Sequence, residues 1–180
     1  MTVPDFSRRP PGLPDRPGAD DPGLGRRIGI DVGSVRVGVA VSDPRCVLAT
    51  PVETVVRSKP KGSDAPDVAR VVEIVTEYEA VEVIIGLPRT LRGESGSAVK
   101  AAEGFARILS RRLPGVPIRM SDERLTTVTA TRALRDSGVR GKSQRSVIDQ
   151  AAAVAILQGW LDERSARLTS AETDPTPEVE

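Results

Sequence analysis

The sequence predicts an α/β domain, a mixed five-stranded sheet flanked by helices. Three observations carry this. Residues 26–32, 36–43 and 47–56 are successive apolar runs rich in β-branched residues and separated by short turns. After them the pattern alternates helix, strand, helix, strand, helix, as in sheets covered by helices. Aromatic residues make up only 2% of the chain, so Val, Ile, Leu and Ala have to fill the core.

Taken in order, residues 1–25 are rich in Pro, Gly and Asp without periodicity and are expected to form a disordered arm. The first three strands follow, expected antiparallel, with Asp43-Pro44-Arg45 as the corner between the second and third. Residues 57–64 are a polar loop. A helix begins near Ala65-Pro66, with Asp64 as its N-cap and proline in the tolerated first turn. Its Val68, Val71, Val72 and Val75 recur at helical spacing. Residues 81–85 form a fourth strand ending in Gly86-Leu87-Pro88, 95–112 a second helix, 116–120 a fifth strand and 127–137 a third helix. A long alanine-rich helix runs from about Ser143 to Arg167. One folded domain therefore spans 26–168, and 169–180 is expected to be a disordered acidic tail.

Composition removes several chemistries. The chain has no histidine and one cysteine, Cys46. Ser-His-Asp and Cys-His nucleophile systems are excluded, as are histidine-containing zinc sites and intrachain disulfides. Carboxylates with hard cations, basic side chains and hydroxyls remain, and carboxylate oxygens suit Mg²⁺ or Mn²⁺. No apolar run reaches membrane-spanning length and no signal-peptide pattern opens the chain, so a cytoplasmic location is expected. Formal net charge is +1, but residues 26–168 hold 23 bases against 17 acids. A basic domain with acidic ends is compatible with a polyanionic partner, and equally with an ordinary solvated surface.

Three acids stand out. Asp31 sits between Ile30 and Val32 in the first strand, where a buried carboxylate is costly unless paired or metal-bound. Nearby Gly33 and Gly38 leave room for a phosphate or another backbone to approach. Glu123, with Asp122, follows the fifth strand, and functional groups in α/β sheets often lie just beyond strand ends. The same pair also fits a solvated loop or a helix start. Asp149 lies at helical spacing beside Ala152, Ala153 and Ile156, although Ser146 and Asp149 taken alone also read as a capping box. Together the three make a stronger case than any one, because in-line attack on a phosphodiester uses metal ions about 4 Å apart held by carboxylates from several elements. Arg89, Arg92, Arg132, Arg135, Arg140 and Lys142 are candidate phosphate contacts, each also consistent with simple solvation. Without aromatic interleaving, recognition by base stacking has little support. Trp160 is read as a packing residue.

Four blocks in order carry a family resemblance. They are Gly29-Ile30-Asp31-Val32-Gly33 with Arg36-Val37-Gly38-Val39-Ala40, then Gly86-Leu87-Pro88, then Asp122-Glu123-Arg124-Leu125-Thr126-Thr127, then Asp149-Gln150-Ala151-Ala152-Ala153 with Ile156-Leu157-Gln158. The chain resembles the YqgF family, described both as Holliday-junction resolvases and as the nuclease that matures the small-subunit ribosomal RNA precursor. The resemblance implies an RNase H-like fold and a metal-dependent phosphodiesterase. By block matching it implies Asp31, Glu123 and Asp149 as catalytic carboxylates and metal ligands. Where the family often has Asp-Gly after Gly-Leu-Pro, this chain has Arg92-Gly93, which removes that acid and adds positive charge suited to phosphate.

The leading expectation is thus a Mg²⁺- or Mn²⁺-dependent endonuclease acting on pre-16S rRNA in ribosome biogenesis. The alternatives are a Holliday-junction resolvase acting on branched DNA and a non-catalytic nucleic-acid-binding module. An ATP-handling protein of actin-like type ranks below them, because such proteins need two copies of this domain. Junction resolution calls for two sites facing opposite strands, hence a homodimer, whereas processing of an RNA end is compatible with a monomer.

Overall fold

In the computed structural model, residues 12–18, 20–59, 62–88, 96–122 and 142–173 are described. The elements are β1 (Arg27–Val32), β2 (Arg36–Ser42), β3 (Ala49–Val56), α1 (Pro66–Glu77), β4 (Glu82–Leu87), α2 (Ser97–Arg112), β5 (Ile118–Asp122) and α3 (Lys142–Thr173). The helix expected at 127–137 lies outside the described residues. The sheet order is β3-β2-β1-β4-β5. The first three strands form antiparallel pairs, and β1–β4 and β4–β5 are parallel. Pro51 sits on edge strand β3, where the register shifts beside Ala40, the kind of position a residue without an N–H tolerates.

Strand alternation assigns each face its cover. Ile28, Ile30, Val32, Val37, Val39, Val83, Ile85, Ile118 and Met120 point to one side, into a core closed by α1 and α2. Gly29, Asp31, Gly38, Ala40 and Ile84 have the opposite parity, and Ala40 and Ile84 pack with Ala152, Ala153, Ile156, Leu157 and Trp160 of α3. The sheet is therefore sandwiched between two helical layers. The first turn of α1 is not capped by Asp64: Ala65 is the N-cap residue, and the Asp67 N–H donates to the Ser58 hydroxyl at 3.0 Å. Among the described residues no helix is long and apolar enough to cross a membrane.

A buried charge network ties down the N-terminal ends of β1 and β4. Glu82 accepts from Arg27 Nε (2.9 Å), Arg119 Nε (3.2 Å) and Trp160 Nε1 (3.2 Å). Arg27 Nη1 also donates to Cys46 Sγ at 2.8 Å, so Cys46, a free and buried thiol, belongs to this network. The segment whose composition predicts a disordered arm reaches into it. Asp21 accepts two hydrogen bonds from Arg164, at 2.5 and 2.9 Å, and lies 3.4 Å from Arg27. Asp20 accepts from Arg119 at 3.0 Å. Further along, Asp15 exchanges bonds with Met120: its N–H donates to the Met120 carbonyl at 2.6 Å, and its carboxylate accepts the Met120 N–H at 2.7 Å. This covers part of the edge of β5, which would otherwise offer unpaired backbone groups. Charge-assisted bonds hold residues that composition alone leaves unanchored.

Candidate active site

Asp31 stands directly opposite Gly38 in the β1–β2 ladder. Directly opposite residues of an antiparallel pair share a face, so Asp31 projects where a side chain at residue 38 would project. That space is taken. A Cβ built on Gly38 would lie 2.0 Å from the carbonyl oxygen of Asp149 and 2.6 Å from its carbonyl carbon. Two residues along β1, a Cβ on Gly29 would lie 2.6 Å from Leu157 Cβ and 2.9 Å from the Ala153 carbonyl oxygen. The backbone of α3 thus lies on the sheet along a lane of missing side chains, with alanines on the helix side. This seating brings Asp149 to the point of the sheet that carries Asp31. Both are buried, 1% and 4% exposed.

α3 begins at Lys142, so Ser146 and Asp149 are interior to the helix and the capping-box reading does not hold. Arg36, two residues from Gly38 on β2, completes the rim: its Nη1 lies 3.8 Å from Asp149 Oδ2. The sequence holds a signal for Arg36 in its shared parity with Gly38 on β2. Its guanidinium is partly exposed.

Of the other expected site residues, Glu123, Arg89, Arg92, Arg132, Arg135 and Arg140 lie outside the described residues, and Lys142 is the first residue of α3. Asp122 closes β5 with the parity of Ile118 and Met120, on the face opposite Asp31. Among the described residues no group of three His, Cys, Asp or Glu side chains forms a metal cage. What they supply is two buried carboxylates on one face, oxygen donors of the type that Mg²⁺ and Mn²⁺ select. Arg27 and Glu82 are also on this face, but Arg27 stands four residues before Asp31, about 13 Å along the strand. Arg27 pairs with Glu82 and donates to the Gly25 and Gly23 carbonyls, and so holds the sheet and the arm together.

Comparison with known proteins agrees with this architecture. The chain is similar to a protein of Rhodococcus jostii named "Putative pre-16S rRNA nuclease", 68% identical over 160 residues, which cover 89% of this chain and 90% of the relative. A protein of Nocardia farcinica with the same name is 71% identical over 154 residues, 84% of this chain and 86% of the relative. Among solved structures, RuvC of T. thermophilus in complex with a Holliday junction substrate superposes with a TM-score of 0.50 at 20% identity, covering 80% of this chain and 96% of that one. At that identity the likeness concerns the fold, which is RNase H-like. The family model described as RuvX, Holliday junction resolvase, matches residues 25–163, and the chain belongs to that family, also called YqgF.

Proposed function

We propose that the protein is a metal-dependent endonuclease that hydrolyses phosphodiester bonds in structured nucleic acid, with the precursor of 16S rRNA as its substrate. The observation that carries this reading is the seating of Asp149 on Gly38, directly across the ladder from Asp31. Asp31 near the end of β1 and Asp149 in the third turn of α3 bring two buried carboxylates to one face, the oxygen donors that a hard divalent cation selects. Asp31 and Asp149 would hold Mg²⁺ or Mn²⁺, with Glu123 as the third ligand that the family resemblance implies. When bound, such an ion activates water and offsets charge on the leaving oxygen. The chain's own part is orientation. The β1–β2 ladder fixes Asp31, the close approach of α3 fixes Asp149, and Arg36 at the rim draws in and neutralises the backbone phosphate. Arg89, Arg92, Arg132, Arg135, Arg140 and Lys142 would track phosphates beyond the cleaved bond. The pre-16S rRNA assignment follows the names of the relatives, which match nearly their full lengths.

The test is cleavage of a labelled pre-16S rRNA fragment and a four-way DNA junction, side by side, in Mg²⁺, Mn²⁺ and EDTA. The expected result is metal-dependent cleavage of the RNA that Asp31→Asn abolishes while circular dichroism is unchanged. Full activity of Asp31→Asn would sink the carboxylate assignment. Preferred cleavage of the junction would favour the second reading, Holliday junction resolution, which the family description supports and which calls for a homodimer. Retained binding without turnover in any metal would leave a nucleic-acid-binding module.

A further inference from the structure

The two helices on the side of the sheet away from Asp31 carry opposite charge. α1 holds Asp67, Glu73 and Glu77 against one base, Arg70, whose guanidinium pairs with Glu53, Glu73 and Glu77 at 2.8–3.4 Å. α2 holds Lys100, Arg107, Arg111 and Arg112 against one acid, Glu103, and that carboxylate accepts the Gly12 N–H at 2.5 Å. Arg112 pairs with Asp64 at 3.4 Å. Lys100, Arg107 and Arg111 are exposed, and their side chains form no hydrogen bond or ion pair with any described residue.

Their spacing gathers these three charges. α2 buries Val99, Ala102, Phe105, Ala106 and Leu109. At about 3.6 residues per turn, Lys100, Arg107 and Arg111 fall within about 40° of one another around the axis, opposite that apolar stripe. Along the axis they span about 16 Å. Gly104 lies in the same stripe with open space above it, since a Cβ there would meet nothing within 4 Å. Arg107 and Arg111 are four residues apart, a like-charge pair that weakens a helix and that a polyanion would relieve.

We infer that the outward face of α2 grips the phosphate backbone of a second helical arm of the substrate, separate from the helix that is cut. This rests on the nuclease reading above. The stripe and the pair Asp31 and Asp149 lie on opposite sides of the sheet, and α2 itself adds about 10–12 Å between them. A straight helix passing over Asp31 and Asp149 does not reach the stripe, whereas a folded or branched nucleic acid brings a second arm to it. Each strand of a duplex carries one phosphate per about 3.4 Å of axis, so a stripe of this length meets several. Such contacts position an arm without reading its sequence. The acids of α1 repel the same arm and keep it on α2.

Two double variants that remove equal charge carry the test. Arg107→Gln/Arg111→Gln strips the stripe. Arg26→Gln/Arg45→Gln, the control, removes two exposed cations before β1 and in the β2–β3 turn that also have no acid partner among the described residues. All four side chains are exposed, so both variants are expected to unfold at the parent's Tm. Fluorescence anisotropy in EDTA across a salt series measures binding to the pre-16S rRNA fragment and to a four-way DNA junction, which have more than one helical arm, and to a single RNA hairpin. The stripe variant is expected to bind the multi-arm probes about tenfold more weakly, with the slope of log affinity against log salt flattened by about two. Its preference for those probes over the hairpin is expected to shrink, while the control keeps the parent's affinities. Parent-like binding by the stripe variant, or an equal loss in the control, overturns the inference and leaves the nuclease reading standing. Weakening of all probes alike, with the preference unchanged, overturns the second arm. Failure of the unmodified chain to bind either multi-arm probe overturns both readings.

Discussion

The Asp149 carbonyl oxygen occupies the place that a Cβ on Gly38 would need, 2.0 Å from where that atom would stand. This one approach fixes the height of α3 above the sheet and the position of Asp149 relative to Asp31. Gly38→Ala therefore has to lift the helix. The expected cost is about 3 kcal/mol, the upper end for overpacking, or about 6–12 °C in Tm, with cleavage lost even below the transition. Gly104→Ala is the contrasting control: it lies within α2 with open space around it. There alanine is expected to add about 1 kcal/mol and about 2–4 °C. Thermal unfolding by circular dichroism measures both. Equal Tm values for Gly38→Ala and the parent would mean that α3 is not seated on Gly38.

Arg36 faces Asp149 across 3.8 Å and would compete for that carboxylate with a cation bound as proposed. Arg36→Gln is expected to lower the metal concentration giving half-maximal cleavage. It is also expected to reduce kcat by about tenfold, as loss of one charge-assisted phosphate contact would. The split distinguishes this role from a purely structural one, which would lower stability and leave metal dependence alone. Metal titrations of initial rate, read with unfolding curves, decide between them.

Much of this was legible from local pattern. Short apolar runs rich in β-branched residues mark β1, β2 and β4, and valines at helical spacing mark α1. Gly38 is readable as a point of close approach because a glycine interrupts a β-branched run. Other features were illegible for physical reasons. Ser146 and Asp149 fit a capping box equally well until the start of α3 at Lys142 makes them interior. Asp122 resolves only once β5 is seen to run through it, since the strand was expected to stop at Met120. The bond from Arg164 to Asp21 joins residues 143 positions apart, and no local pattern records such a pairing. The same holds for the described residues between 12 and 25, whose composition is that of a disordered segment and which charged pairs and the bonds of Asp15 to Met120 hold against the domain.

Those charges are not equivalent. Asp21 is largely buried between Arg164 and Arg27, whereas Asp20 is 59% exposed beside Arg119. Removing one partner of a buried pair leaves an uncompensated charge and costs about 3 kcal/mol or more. An exposed pair is worth about 1 kcal/mol at most. Asp21→Asn is thus expected to lower the urea midpoint clearly and Asp20→Asn barely. Similar midpoints for the two variants would show that Arg164 and Arg27 do not depend on the arm. Trp160, the one tryptophan, donates to Glu82 in the same network and reports the transition by fluorescence.

The same carboxylates set an acid limit. Burial pushes the Asp21 carboxyl up, but the hydrogen bonds from Arg164 and from the Gly23 N–H, with the charge of Arg27, outweigh it and hold it below its ordinary 3.8. The hydrogen bond and charge of Arg119 hold Asp20 below 3.8 as well. A carboxyl whose folded value is depressed binds its proton more readily in the unfolded chain. Its stabilisation is therefore complete above the ordinary carboxylate range and disappears as pH falls through the folded value. Parent and Asp21→Asn should differ most in urea midpoint at neutral pH and converge as the pH drops below 3.8. Urea titrations at neutral pH and in that acid range, followed by Trp160 fluorescence, measure the gap. A gap that stays constant would mean that Asp21 acts through shape rather than charge, and the arm would then be held by the two bonds of Asp15 to the Met120 backbone instead.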